Sequence, residues 1–218
     1  MPKITAISPQ KKKIGRFNIF LDDKFAFGIE AEILLSNNFK IGQVLQEEEI
    51  ARIIKSEQGT KLLDLATNFL SYRPRSEREM GDYLAKKISA KEGIKFQEAR
   101  QSEQIEKIIF KLKKYKYLDD KQFAQWFVTS RTSSRPKGAA LIKLELRKKG
   151  IDREIIDEIF HNAPGETNLA KRAVERKLRG WENLTTMDFK KKFYSYLASK
   201  GFDFETIKET FAFYSKKR

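Results

Sequence analysis

The chain has 218 residues, 40% of them apolar and 12% aromatic, which suffices for a core in one or two domains and excludes a disordered polar tail. Its 45 Lys and Arg outnumber its 30 Asp and Glu, giving a net charge of +15 and a pI near 9.8, so the expected partner is anionic: nucleic acid or an acidic protein surface, ahead of a membrane. Cysteine is absent, which excludes thiol catalysis, disulfides and thiolate metal sites and is compatible with a reducing cytoplasm.

The opening MPKITAISPQKKKIGRF lacks the apolar run of a signal peptide, and no later stretch suits a membrane span. A cytoplasmic protein is expected. KITAISP reads as a strand ended by Pro9. RFNIFLDDKFAFGI alternates on two arms, with Phe17, Ile19 and Leu21 on one and Phe25, Phe27 and Ile29 on the other. Asp22-Asp23 falls between the arms, where a hairpin turn belongs. A short helix around EAEILL and a longer one from QEEEIARII complete an N-terminal module over residues 1–60.

From about Lys61 the pattern is helical, and it repeats. Leu62, Leu65, Ala66, Phe69 and Leu70 share one helical face. SEREMGDYLAKKI opens with the capping-box pair Ser76 and Glu79, and SEQIEKIIFKL offers Ile105, Ile108, Ile109 and Leu112 behind Ser102. The same trio follows twice more: FAQWFVTSR, PKGAALIKLELRKKG and IDREIIDEIF, then TNLAKRAVERKLRGW, TMDFKKKFYSYLASKG and FDFETIKETF. Lys149-Gly150-Ile151-Asp152 and Lys200-Gly201-Phe202-Asp203 share one grammar: a basic last turn, Gly at C′, an apolar staple and an Asp N-cap. The expected fold class is mainly α. Three tandem three-helix repeats, at 61–116, 117–162 and 163–218, form an elongated curved array behind a small β-hairpin-containing module.

Two adjacent aspartates recur in YLDDKQFAQWF. Asp119 stands as N-cap with Gln122 three residues on, and Asp120 lies in the first turn, where a negative charge meets the helix dipole. Nothing announces further metal ligands. The single histidine, His161, sits at a helix end and suits the carbonyls there better than general-base work. No phosphate-cradling glycine loop occurs, and Ser133-Ser134 and Thr185-Thr186 read as turns and caps. The reading is a binding protein with no catalytic residues, no cofactor and no metal, not an enzyme.

Positive charge gathers at matching places. Arg73, Arg75 and Arg78 cluster at the first inter-helix turn of repeat one, and Arg131, Arg135 and Lys137 at the equivalent turn of repeat two. Lys143 and Arg147 continue a helix face, while Arg172, Arg176 and Arg179 form a stripe in repeat three, with Lys190 to Lys192 on the next helix. Stacked repeats would align these into a basic surface suited to a polyanion or a filament with acidic groups. Phe123, Trp126, Phe127, Phe189, Phe193 and Phe211 have core spacing, and Trp181 is left open between core and base stacking.

SYRPRSEREMGDYLAKK, KYLDDKQFAQWFVTSR and LRKKGIDREIIDEIF, in this order, resemble the RecX family of recombination regulators. The resemblance covers essentially the whole chain, most closely from Phe69 to Phe160, and residues 1–60 look like an N-terminal extension that some members carry. It implies a protein that binds the RecA recombinase filament on single-stranded DNA, and DNA itself, single-stranded or double-stranded; a monomer is expected. It also implies inhibition of ATPase, strand exchange and filament growth in recombination and DNA repair. The insertion ISAKEGIKFQEARQ in repeat one departs from the family pattern. Composition alone is equally consistent with a stand-alone nucleic-acid-binding repeat protein; a hydrolase with a dispersed site would betray itself by a metal requirement or a bell-shaped pH profile.

Overall fold

The structure, a computed structural model, describes residues 1–11, 14–134, 136–161 and 165–216. The chain divides into two compact units, Met1–Asn68 and Phe69–Arg218. In the first, strands β1 (Ile4–Pro9), β2 (Arg16–Leu21) and β3 (Lys24–Glu30) form an antiparallel sheet in that order. Asp22 and Asp23 make the tight turn with φ of 47° and 63°, the left-handed conformation that matches hairpin twist and that short polar side chains tolerate. Strand β1 and the residue before it hold this turn: the Lys3 N–H donates to Asp22 Oδ1 (3.1 Å) and the Asp23 N–H to Thr5 Oγ1 (2.9 Å).

Between β2 and β3 the simple alternation fails at one place. The register passes from Ile19 opposite Phe27 to Phe20 opposite Phe25, so Ala26 is a bulge and Phe25 turns outward. Phe27 and Ile29 are buried, whereas Phe25 is 61% exposed and lies edge-on to Phe20. A short α1 (Ala31–Ser36) follows, then α2 (Glu47–Ser71). The stretches expected as separate helices on either side of residue 60 are one continuous helix, because the single Gly59 costs only about 1 kcal/mol and does not break it. Ile50, Ile53 and Ile54 of α2 pack on Ile4, Ile19, Leu21, Phe27, Ile29 and Leu45. Beside this core the buried Arg16 pairs with the buried Glu57, whose carboxylate also lies 3.1 Å from the Lys61 ammonium, while Glu30 lies 3.3 Å from Arg16. Removing one partner would leave an uncompensated buried charge.

The second unit carries α3 (Glu77–Glu92), α4 (Phe96–Arg100), α5 (Glu103–Lys114), α6 (Asp120–Ser133), α7 (Ala139–Lys148) and α8 (Arg153–His161). Then come α9 (Thr167–Leu178), a 3-10 turn at Arg179–Trp181, α10 (Thr186–Ser199) and α11 (Phe204–Ser215). Repeats two and three each enclose their own apolar cluster, centred on Phe123, Phe127, Ile142 and Ile156, and on Phe189, Phe193, Leu197 and Ile207. Trp181 packs edge-on against Phe189, Phe193 and Tyr196, so its indole face is part of the repeat-three core. The inserted segment of repeat one folds back as α4, and Arg100 reaches Asp82 on α3 at 3.1 Å.

At the two joints read from sequence, Gly150 and Gly201 have φ of 82° and 86°, and Ile151, Ile156, Phe202 and Ile207 are buried after them; Asp203 caps α11 by accepting from the Thr206 N–H (2.7 Å). Each joint also rests on the preceding repeat. The Gly138 N–H donates to the Lys200 carbonyl at 2.9 Å, and a Cβ on Gly138 would collide with the Gly201 carbonyl. Gly138→Ala is therefore expected to destabilise the fold by about 1–3 kcal/mol through overpacking. Gly59→Ala, with open space around it inside α2, should stabilise by up to about 1 kcal/mol. Urea unfolding of the two variants reads these opposite signs, and equal effects would contradict the close contact.

Candidate functional site

The predicted basic residues fall into two groups, those occupied by intramolecular partners and those left facing solvent. Ser76 caps α3 by accepting from the Glu79 N–H (3.1 Å), but the Glu79 side chain does not reach back to complete the box. It receives both guanidinium nitrogens of Arg73 (2.9 and 3.0 Å) and the ammonium of Lys149 from repeat two (2.5 Å). Burial opposes ionisation of this carboxyl, yet the hydrogen bonds and charges of Arg73 and Lys149 pull it down to about 2. Arg73 also lies over Trp126 of repeat two at 5.6 Å.

Arg75 is built into a stack. Its guanidinium sits 3.7 Å from the Phe69 ring, Phe69 stacks on Tyr83 at 4.0 Å, and its Nε donates to the Phe69 carbonyl (3.2 Å). Burial, reinforced by Arg73, lowers its pKa. At the equivalent turn of repeat two, Arg131 (2.8 Å) and Lys137 converge on Glu145, and Arg131 covers the Phe127 ring. Burial works against the charge of Glu145, but hydrogen bonds from Lys137 and Arg131 lower its pKa. Arg172 donates to the Ser133 carbonyl across the boundary between repeats two and three (2.6 Å).

The remainder face outward. Arg78 makes only a 4.0 Å approach to Asp82, with a side chain 58% exposed. Lys143 lies over the Phe160 ring, and Arg147, Arg176 and Arg179 are exposed with no ion pair among the described residues. Arg135 lies outside the described residues. His161 ends α8 and is exposed. Among the described residues no group of three or more acidic or histidine side chains could hold a metal, and no helix is long and apolar enough to cross a membrane.

Sequence reasoning missed the acids that organise the boundaries. Asp119 caps its own helix as expected, accepting from the Lys121 and Gln122 N–H groups (2.8 and 3.0 Å). Asp120 instead reaches back to repeat one and accepts the Glu77 N–H at the start of α3 (2.8 Å). Glu166 does the same one repeat later, accepting the Ala139 N–H at the start of α7 (2.5 Å). Burial raises both carboxyls, Asp120 to about 6. The available signal was positional: each acid stands at the first helix of a repeat.

Family models match in four segments: the regulatory protein RecX N-terminal domain over residues 2–46, and the first, second and third RecX three-helix domains over 63–91, 119–159 and 166–211. The chain is 37% identical over 209 residues to the regulatory protein RecX of Bacillus subtilis (strain 168), covering 95% of this chain and 75% of that protein. It is 34% identical to that of Listeria monocytogenes serotype 4b (strain F2365), covering 94% and 73%. A crystal structure of regulatory protein RecX superposes with a TM-score of 0.67 at 29% identity, covering 96% of this chain and 98% of that one.

The position of Asp120 has a consequence for stability. In the folded protein it takes up its proton near pH 6, whereas the unfolded side chain does so near 3.8. Between these values the folded state binds more protons, so this group adds stability as the pH falls. Asp120→Asn keeps an oxygen for the Glu77 N–H but cannot titrate. Chemical denaturation from pH 7 to 4 should show wild type gaining stability relative to Asp120→Asn; a pH-independent difference would contradict the burial of this carboxyl.

Proposed function

The chain belongs to the RecX family of regulatory proteins, and on that premise we propose that it binds the RecA filament on single-stranded DNA and inhibits its ATPase, strand exchange and growth. The observation that carries this reading is the match to four RecX domain models in chain order. A net charge of +15 supports an anionic target, whether acidic filament surface or DNA phosphates, single- or double-stranded. The exposed Arg147, Arg176 and Arg179, with Arg78 approaching Asp82 only at 4.0 Å and Lys143 over the Phe160 ring, are the contacts this reading favours. Arg73, Arg75, Arg131, Lys137 and Arg172 would act mainly by holding the turns that present those residues. The protein acts in the cytoplasm as a monomer, without cofactor or turnover. Spanning neighbouring recombinase subunits, it resists the subunit changes that hydrolysis and strand exchange require.

A second reading, a basic nucleic-acid-binding repeat protein indifferent to the recombinase, is favoured by the charge alone. Titration into the single-stranded-DNA-dependent ATPase of RecA, at fixed salt and DNA, separates the two. Inhibition is expected, and Arg147→Glu with Arg179→Glu should weaken it severalfold while leaving helicity unchanged. Full inhibition by that double variant would remove those residues from the interface. No inhibition by wild type, with binding to bare DNA intact, would establish the second reading.

A further inference from the structure

The boundaries on either side of repeat two follow one plan and differ in charge. Lys149 and Lys200 are matching residues, each just before the joint glycine, and each carbonyl accepts a hydrogen bond from the residue that starts the second helix of the preceding repeat. The donors are Ser76 Oγ (2.7 Å) and the Gly138 N–H (2.9 Å). At the first boundary the Lys149 ammonium ends on Glu79, three residues after Ser76. Three residues after Gly138 stands Leu141, so no carboxylate waits for Lys200. Its ammonium lies over the Tyr196 ring at 5.5 Å, and Lys177 lies over the same ring at 5.9 Å.

Beside this boundary is a cleft of about 440 Å³, lined by Arg172, Arg176, Lys177, Lys200 and Tyr196 with Ser134 at its rim. Among the described residues that line it, Glu175 is the one carboxylate, against four cations. Among the described residues no ion pair engages Arg176, Lys177 or Lys200. Crowding several cations against a single carboxylate costs stability, and at the first boundary Glu79 removes that cost. An external anion would do so at the second.

We propose that this cleft is a phosphate site that takes the backbone of a single-stranded nucleic acid. A guanidinium fork with two ammoniums suits phosphate oxygens, and the volume admits a phosphate with its sugar, well beyond what a lone carboxylate needs. The assignment shares with the proposed function only the premise that nucleic acid is a partner.

The test uses the full chain and the anisotropy of a fluorescein-labelled oligothymidylate over a range of salt concentrations. The variant Arg176→Gln, Lys177→Gln, Lys200→Gln is compared with Lys86→Gln, Lys91→Gln, Lys114→Gln, which removes the same charge from exposed sites in repeat one. The cleft variant should lower the slope of log K against log salt by about 2, at roughly 0.7 per phosphate contact, and the control by less than half as much. Should the triple variant prove unstable, Lys200→Gln alone is expected to lower the slope by about 0.7. Equal slope changes in both triple variants would overturn the site, leaving only net charge. Unchanged oligothymidylate binding with lost recombinase inhibition would also overturn it, assigning the cleft to an acidic protein surface while the regulatory reading stands.

Discussion

A helix leaves its first backbone N–H groups without intrahelical partners, and in this protein the repeats meet where those groups are satisfied. Asp120 and Glu166, at the starts of repeats two and three, accept from Glu77 and Ala139 at the second helices of repeats one and two. The carbonyls of Lys149 and Lys200 take a second hydrogen bond at the same helix starts. The glycine requirement follows from this contact. Gly150 packs on the Arg78 side chain and Gly201 on Leu141, so a Cβ at either position would push the repeats apart, besides straining a positive φ. Repeats two and three each hold their own apolar cluster, and the contacts that cross the boundaries through Asp120, Glu166 and Lys149 are polar or charged.

That division explains what could be read in advance. The helices, the joints at Gly150 and Gly201 and the hairpin turn at Asp22-Asp23 depend on residues within a few positions of one another, so their chemistry is written locally. The partner of Asp120 lies 43 residues away, and nothing near Asp120 distinguishes a charge for its own helix from a cap for another. Glu79 shows the same limit: its spacing from Ser76 spells a capping box, but two cations outcompete a backbone N–H for its carboxylate. Phe25 was misplaced because one inserted residue, Ala26, reverses the alternation.

The basic surface was legible as composition and only partly as geometry. Sequence shows where arginines cluster but not which have a partner folded against them. Arg75 stacks on Phe69, and Arg131 and Lys137 share Glu145, so these side chains shape the turns, whereas Arg147, Arg176 and Arg179 carry charge that the fold leaves available. Exchanging Glu79 for Leu141 between equivalent boundaries turns one neutralised junction into one with surplus positive charge. A repeat protein can thus keep a single packing plan and place its binding groups where the plan omits a counterion.

The most direct test of this account is amide hydrogen exchange at Glu77 and Ala139, followed in wild type, Asp120→Ala and Glu166→Ala. First-turn amides exchange rapidly unless something outside the helix binds them. The account predicts slow exchange at both positions in wild type, with Glu77 accelerated only by Asp120→Ala and Ala139 only by Glu166→Ala. Exchange in wild type as fast as in an unstructured peptide would contradict the coupling of repeats through these caps.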